Sequence, residues 1–139
     1  MRQRMEDELA QADGDIKVGP GGIVDAEFTA QFLALCHGGD HASLRATSTI
    51  STLRAAADAD IADADAIDVL IEGYTRLRFL EHRMRIVHDR SVAALPDSGI
   101  ELDKLARRAG YARSDALTEA VEKWTDLIRD AFRQVVKSV

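Results

Sequence analysis

Three groups of residues have types and spacings that could do chemistry. The first is a glycine-rich turn, Lys17-Val18-Gly19-Pro20-Gly21-Gly22, which runs straight into an apolar stretch beginning at Ile23. Backbone N–H groups at a helix start can hold a phosphate, and glycine lets a ligand approach the main chain closely. The spacing does not match the known phosphate loops. A Walker loop ends in Gly-Lys-Ser/Thr, whereas Gly21-Gly22 is followed by Ile23, and a dinucleotide fingerprint needs glycine where Val24 stands. With Gly22 as the cap, Asp25 occupies the third helical position, from which its carboxylate can bond back to the open helix end. Asp25 and Glu27 would repel a bare phosphate unless Lys17 or a metal offsets them, so packing and capping is the favoured role.

The second group is four histidines and one cysteine. His37 and His41 have the spacing of helical metal ligands, but Gly38-Gly39 breaks the helix between them, and Cys36 has no companion thiol. No metal site is expected. Cys36 near a helix C-terminus would have its thiolate disfavoured by the helix dipole, which argues against a nucleophile. Asp60, Asp63 and Asp65 are read as capping and first-turn acids of the helix that follows them. The third group is Glu81, His82, Arg83 and His88. Glu81 falls in the apolar seam between Leu77 and Met84, and His88 continues that seam one turn on. Seam charges in a bundle usually form a paired network that sets helix register, and that is the expectation here.

The elements that must position these groups are all helical. Nowhere do polar and apolar residues alternate over a β-branched run. A short charged amphipathic piece from Arg2 to Ala12 stops at Asp13-Gly14-Asp15. A helix runs from Ile23 to about His37 and ends at Gly38-Gly39. On it Val24, Phe28, Phe32 and Leu35 share one face, and Ala26, Ala30 and Leu33 form a second, small-residue face, which predicts burial on two sides. Ser48 or Thr49 caps a helix to about Asp58. The longest helix, about Ala64 to His88, carries Ile67, Leu70, Tyr74, Leu77 and Met84 at a repeat of three and four. A short helix from Ile100 to Ala109 ends at Gly110. The last follows a Ser114 cap with the stripe Leu117, Val121, Trp124, Ile128, Ala131 and Val135. Trp124 and the other aromatics are expected in the core. The fold class is all-α, an antiparallel helical bundle of five or six helices.

Composition bounds the function. The chain has 139 residues, 46% hydrophobic and 30% charged, which suits one packed domain. Its net charge of −6 gives no electrostatic drive toward nucleic acid or an anionic membrane. No apolar run approaches the roughly 20 residues that span a bilayer, and no signal peptide follows Met1-Arg2-Gln3-Arg4. A single cysteine suits a reducing compartment, and a cytoplasmic protein is expected.

The segment Asp15-Ile16-Lys17-Val18-Gly19-Pro20-Gly21-Gly22-Ile23-Val24-Asp25-Ala26-Glu27-Phe28, followed by Gln31, resembles the glutamine synthetase adenylyltransferase family. Leu80-Glu81-His82-Arg83-Met84-Arg85, then His88-Asp89-Arg90 and Leu95-Pro96, is similar to a stretch of the helical domain behind each nucleotidyltransferase domain of that family. Met1 to Leu9 resembles the connecting helix. The resemblance therefore implies that residues 1–14 end a connecting helix and that residues 15–139 form a single bundle domain.

The resemblance implies a parent enzyme with two nucleotidyltransferase domains, one attaching AMP to a tyrosine of glutamine synthetase and one removing it by phosphorolysis. This chain looks most like the helices of the C-terminal, adenylylating half. The family's catalytic carboxylates follow a Gly-Ser turn and an Asp-x-Asp pattern on a strand, and this chain has no such arrangement, since Asp58-Ala59-Asp60 and Asp63-Ala64-Asp65 match only as letters. No catalytic residue and no bound cofactor are therefore expected here, with ATP and magnesium belonging to the parent. Lys17, Gly19, Gly21, Gly22, Asp25, Glu27 and Gln31 carry over by motif as the junction with the catalytic domain, and contact with nucleotide stays open. Replacing Asp25 or Glu27 in the parent is expected to lower AMP transfer with little change in this domain's stability. Ala26 and Ala30 are smaller than the aliphatic residues usual in the family.

The implied partners are the adjacent nucleotidyltransferase domain, glutamine synthetase and a PII signal protein. Two other readings compete. One is an interaction module that docks glutamine synthetase or PII; the other is the helical domain of a PII uridylyltransferase. The run Gly-Gly-Ile-Val-Asp-Ala-Glu-Phe favours the adenylyltransferase.

Overall fold

The computed structural model describes residues 15–17, 19–88, 95–96 and 99–138. The connecting helix expected over residues 1–14 lies outside them. The described residues form five α-helices and one 3-10 turn, with no strand among them: α1 (Ile23–His37), the turn Ala42–Arg45, α2 (Thr49–Asp58), α3 (Ala64–His88), α4 (Gly99–Arg108) and α5 (Ser114–Ser138). The all-helical bundle expected from the periodicities is the fold observed.

Local chemistry sets the helix ends. The Ser48 hydroxyl accepts the N–H of Ser51 and caps α2. Asp63 accepts the N–H of Ala66 and caps α3. Asp60 has a different role from the one expected. At φ 56° it takes the left-handed position after α2, with its N–H bonded to the Ala57 carbonyl and the Ile61 N–H bonded to that of Ala56. That is a Schellman closure of the preceding helix. Gly110 and Tyr111 close α4 in the same way, bonding back to Arg107 and Ala106. Ser114 begins α5 rather than capping it, since Leu117 donates to the Arg113 carbonyl.

The longest interface joins α3 and α5. Gly73 lies against Ile128 while Arg76, one turn later on α3, lies over Trp124, one turn earlier on α5, so the two helices run antiparallel. The close approach depends on Gly73, because a Cβ there would sit 2.6 Å from two side-chain atoms of Ile128. Gly73→Ala is therefore expected to destabilise by about 1–3 kcal/mol through overpacking. Urea melts should show most of that loss recovered by adding Ile128→Val, and an additive second loss would put the cost elsewhere.

The core is aliphatic. Leu33, Leu44, Leu53, Ile67, Leu70, Leu77, Met84, Leu117, Ile128 and Val135 are essentially inaccessible. None of the aromatic side chains is fully buried, contrary to the expectation for Trp124, which is half-buried. The reason is packing distance: a helix pair brought together over Gly73 has room for Ile128 at the crossing, and Trp124 is displaced to the flank. α1 differs in a second way. Its small-residue face of Ala26, Ala30 and Leu33 is buried as expected, but Val24, Phe28 and Phe32 are only half-buried and Leu35 is 87% exposed. One side of α1 is covered by the described residues, and the other is covered only in part and, at Leu35, hardly at all.

Candidate functional site

The glycine-rich turn folds back on itself and then onto α5. The Gly22 N–H donates to the Gly19 carbonyl, Ile23 to that of Ile16, and Val24 to that of Lys17, each at 2.9 Å. The Lys17 N–H is held by the Asp15 carboxylate at 2.8 Å. Gly21 has φ +72°, and its α-carbon faces the backbone of Thr125 on α5 so closely that a Cβ would overlap the Thr125 carbonyl oxygen. Gly19 and Gly22 are likewise pressed against carbonyl oxygens of the turn. Glycine is required where the main chain itself is the neighbour.

Asp25 is completely buried and holds this arrangement in place. Its Oδ2 accepts the Gly21 N–H at 2.7 Å and the Arg129 Nη1 at 3.1 Å, and the Arg129 side chain is only 15% exposed. The carboxylate thus bonds back toward the helix start, and also ties α1 to α5 across 104 residues of sequence. One turn on, Phe28 meets Phe132 edge to face with centroids 6.0 Å apart. Because 25 pairs with 129 and 28 with 132, α1 and α5 run in the same sense where they touch. The Thr29 hydroxyl donates to the Asp25 carbonyl and removes another polar group from the buried face.

The motif therefore has two sides. Gly19, Gly21, Gly22 and Asp25 face inward, whereas Lys17 and Glu27 are half-exposed and Gln31 is exposed. At 100° per residue Val24, Phe28, Gln31 and Leu35 form one outward stripe with Glu27 at its edge. The amide donors at the start of α1 are consumed internally, including the Asp25 N–H, which bonds to Gly22. A phosphate finds no free cradle there, and the buried carboxylate adds repulsion. Among the described residues no group of three or more His, Cys, Asp or Glu side chains is placed to hold a metal ion.

The second polar group centres on Glu81, 3% exposed in the α3 seam. Its Oε1 accepts from Arg78 at 3.3 Å and Arg85 at 3.2 Å, while Oε2 is buried with no hydrogen-bond partner among the described residues. His82 is exposed, Arg83 lies over the Phe79 ring at 4.9 Å, and His88 closes α3. The partners of Glu81 are thus neighbours three before and four after it on its own helix. The structure brings neither His82 nor Arg83 to it.

Sequence reasoning missed Arg129. Next to Ile128 on a helix with many surface charges, it carries no spacing signal, and only the tertiary fold sets it beside Asp25.

A family model described as GlnD PII-uridylyltransferase matches residues 1–138. The chain belongs to this family. It is also similar to bifunctional glutamine synthetase adenylyltransferase/adenylyl-removing enzymes of several bacteria. With that of Ralstonia nicotianae it shares 38% identity over 120 residues, 86% of this chain and 13% of the relative. With that of Xanthomonas campestris it shares 40% over 122 residues, covering 88% and 13%. With that of Streptomyces avermitilis it shares 36% over 127 residues, covering 89% and 12%. The resemblance read from the glycine motif and from Leu80 to Arg85 agrees with the names of these relatives. The chain spans about one eighth of the length of the relatives it matches. No described helix is long and apolar enough to cross a membrane.

Proposed function

We propose that this chain is the helical domain that completes and positions a nucleotidyltransferase domain in a glutamine synthetase adenylyltransferase, in its C-terminal, adenylylating half. The observation that carries the reading is α1. It is apolar on both sides, yet only the side facing α2, α3 and α5 is fully covered, while on the other Phe28 reaches Phe132 and Leu35 stands 87% exposed one turn from the exposed Gln31. An apolar stripe of this kind marks a surface that a neighbour covers. The catalytic domain of the same polypeptide is that neighbour.

The device works by rigidity. Asp25, Arg129 and the turn at Gly21 lock α1 against α5, so the outward stripe of Val24, Phe28, Gln31 and Leu35 has a fixed angle. A catalytic domain seated on it inherits that angle. ATP and magnesium belong to the parent's catalytic domain in this reading, and the described residues of this chain offer no site for either. Cytoplasmic location and contacts with glutamine synthetase and a PII protein are part of the same proposal.

Two measurements test it. The purified chain with ATP and magnesium should transfer no AMP to glutamine synthetase, because such chemistry needs metal-held carboxylates. In the full-length enzyme Leu35→Asp should lower kcat for AMP transfer about tenfold, equivalent to about 1.4 kcal/mol. The same substitution should move the stability of the isolated chain by no more than about 0.5 kcal/mol, as exposed positions do. Unchanged transfer in the Leu35→Asp enzyme would remove the junction from α1.

A further inference from the structure

A groove of about 620 Å³ opens between α3 and α5, beneath the loop that joins α4 to α5. Its floor is Leu77, Leu80, Leu117 and Val121, and its walls are the half-buried Trp124 and the Phe79 ring, which is 46% exposed. The volume lies within the range of real binding clefts, about 300–1,000 Å³. It does not belong to the α1 stripe, since no residue of α1 lines it.

Its charge runs against that of the chain. Arg83 lies over Phe79 at 4.9 Å, and Arg76 and Lys123 lie over Trp124 at 5.1 and 5.7 Å. The acid among the lining residues is Glu72, 3.6 Å from Arg76. Within the lining Arg76 is offset by Glu72, and Arg83 and Lys123, which lie over the lining rings, add two cations beside an apolar slot in a chain whose net charge is −6. Cation–π contacts hold these cations at the edges of the slot. Side chains entering from above reach the leucine floor and place their flanks beside the cations. An amphipathic helix with an apolar stripe and acidic flanks fits that description.

We propose that this groove receives an acidic amphipathic helix from the remainder of the longer polypeptide. The inference rests on the reading of the chain as one domain of a larger enzyme, because the matched relatives extend far beyond it: the chain covers 12 to 13% of their length. The helix is thus a second tether, separate from the α1 stripe, and it holds the bundle on the opposite flank of α5 from the Asp25–Arg129 lock.

Trp124 is the only tryptophan, so its fluorescence reports occupancy of the groove directly. The probe is a synthetic amphipathic peptide of about 18 residues, five turns, with a leucine stripe flanked by glutamates. Titration into the 139-residue chain should give a saturable blue shift that weakens with salt. The same peptide with lysines for glutamates should bind at least about tenfold more weakly, since like charges face each other across the groove. Lys123→Glu with Arg83→Glu should reverse that preference. Equal binding of the two peptides, or none of either, would overturn the chemistry. Sedimentation as a dimer with Trp124 already shielded would assign the groove to a second copy instead. The source is read in the purified full-length enzyme with a photo-crosslinking side chain at position 79. A cross-link to an acidic helix of the same polypeptide outside these 139 residues is the expected result. One to glutamine synthetase or within the 139 residues would overturn the source and leave the α1 junction, tested separately at Leu35, untouched.

Discussion

Gly21→Ala is expected to cost the chain about 3 kcal/mol or more, the largest loss of any single methyl group added to it. Two separate penalties meet at this position. Gly21 has φ +72°, where a side chain brings its Cβ against the backbone at a cost of about 1–2 kcal/mol. The added carbon would also overlap the carbonyl oxygen of Thr125, which belongs to the hydrogen-bonded backbone of α5 and cannot swing aside as a side chain can. Relief requires the turn and α1 to part from α5, which stretches the contact between Asp25 and Arg129. Gly39→Ala is the control, because a Cβ there meets nothing within 4 Å and its φ is not positive. It should be neutral or stabilise by up to about 1 kcal/mol, chiefly by restricting the unfolded chain. The midpoint of urea unfolding with an unchanged m-value checks both. A loss below about 1 kcal/mol for Gly21→Ala would mean that the turn does not press on α5.

The local features of this molecule were legible in its sequence because they depend on neighbours a few residues away. The glycines before Ile23 and after His37, the Ser48 cap and the three-and-four repeat of Ile67, Leu70, Leu77 and Met84 all report helix ends and faces. What was not legible depends on which helix lies opposite. The residues Val24, Phe28, Phe32 and Leu35 are as apolar as any core stripe, and hydropathy cannot say that the described chain covers the first three only in part and leaves Leu35 exposed. Trp124 follows the periodicity of a core residue and is half-exposed, because Gly73 draws the helices together one turn away. Asp60 was read with the helix that follows it because acids favour helix starts. Its positive φ serves the helix before it. The inward glycines were recognisable as special, but the object they approach, the backbone of Thr125, could not be named from sequence.

Removing either partner of the Asp25–Arg129 pair should destabilise by about 3–5 kcal/mol, well above what a helix cap contributes. The sequence alone suggested that Asp25 could be replaced with little effect on stability, as caps rarely contribute above about 2 kcal/mol. Burial changes that expectation. Asp25 is completely inaccessible, and Arg129, 15% exposed, is 3.1 Å from it. Asp25→Ala strands a guanidinium in a poorly solvated place and takes an acceptor from the Gly21 N–H. Arg129→Met keeps most of the stem's packing but leaves a carboxylate without its opposite charge, so its loss should be of similar size. The double variant Asp25→Asn with Arg129→Met removes both charges and retains an oxygen for the Gly21 N–H. Its loss should fall short of the sum of the single losses by about 1.5–3 kcal/mol, the signature of a direct coupling. Additive losses in urea melts would show that the two side chains act independently. The result also decides how the junction can be probed in the parent enzyme. A drop in AMP transfer in an Asp25 variant cannot be separated from loss of the scaffold, whereas Glu27 and Leu35 lie on the half-exposed and exposed side of the same helix. Activity lost at those two positions with the melting temperature unchanged is the outcome expected where a neighbour docks on this face of α1.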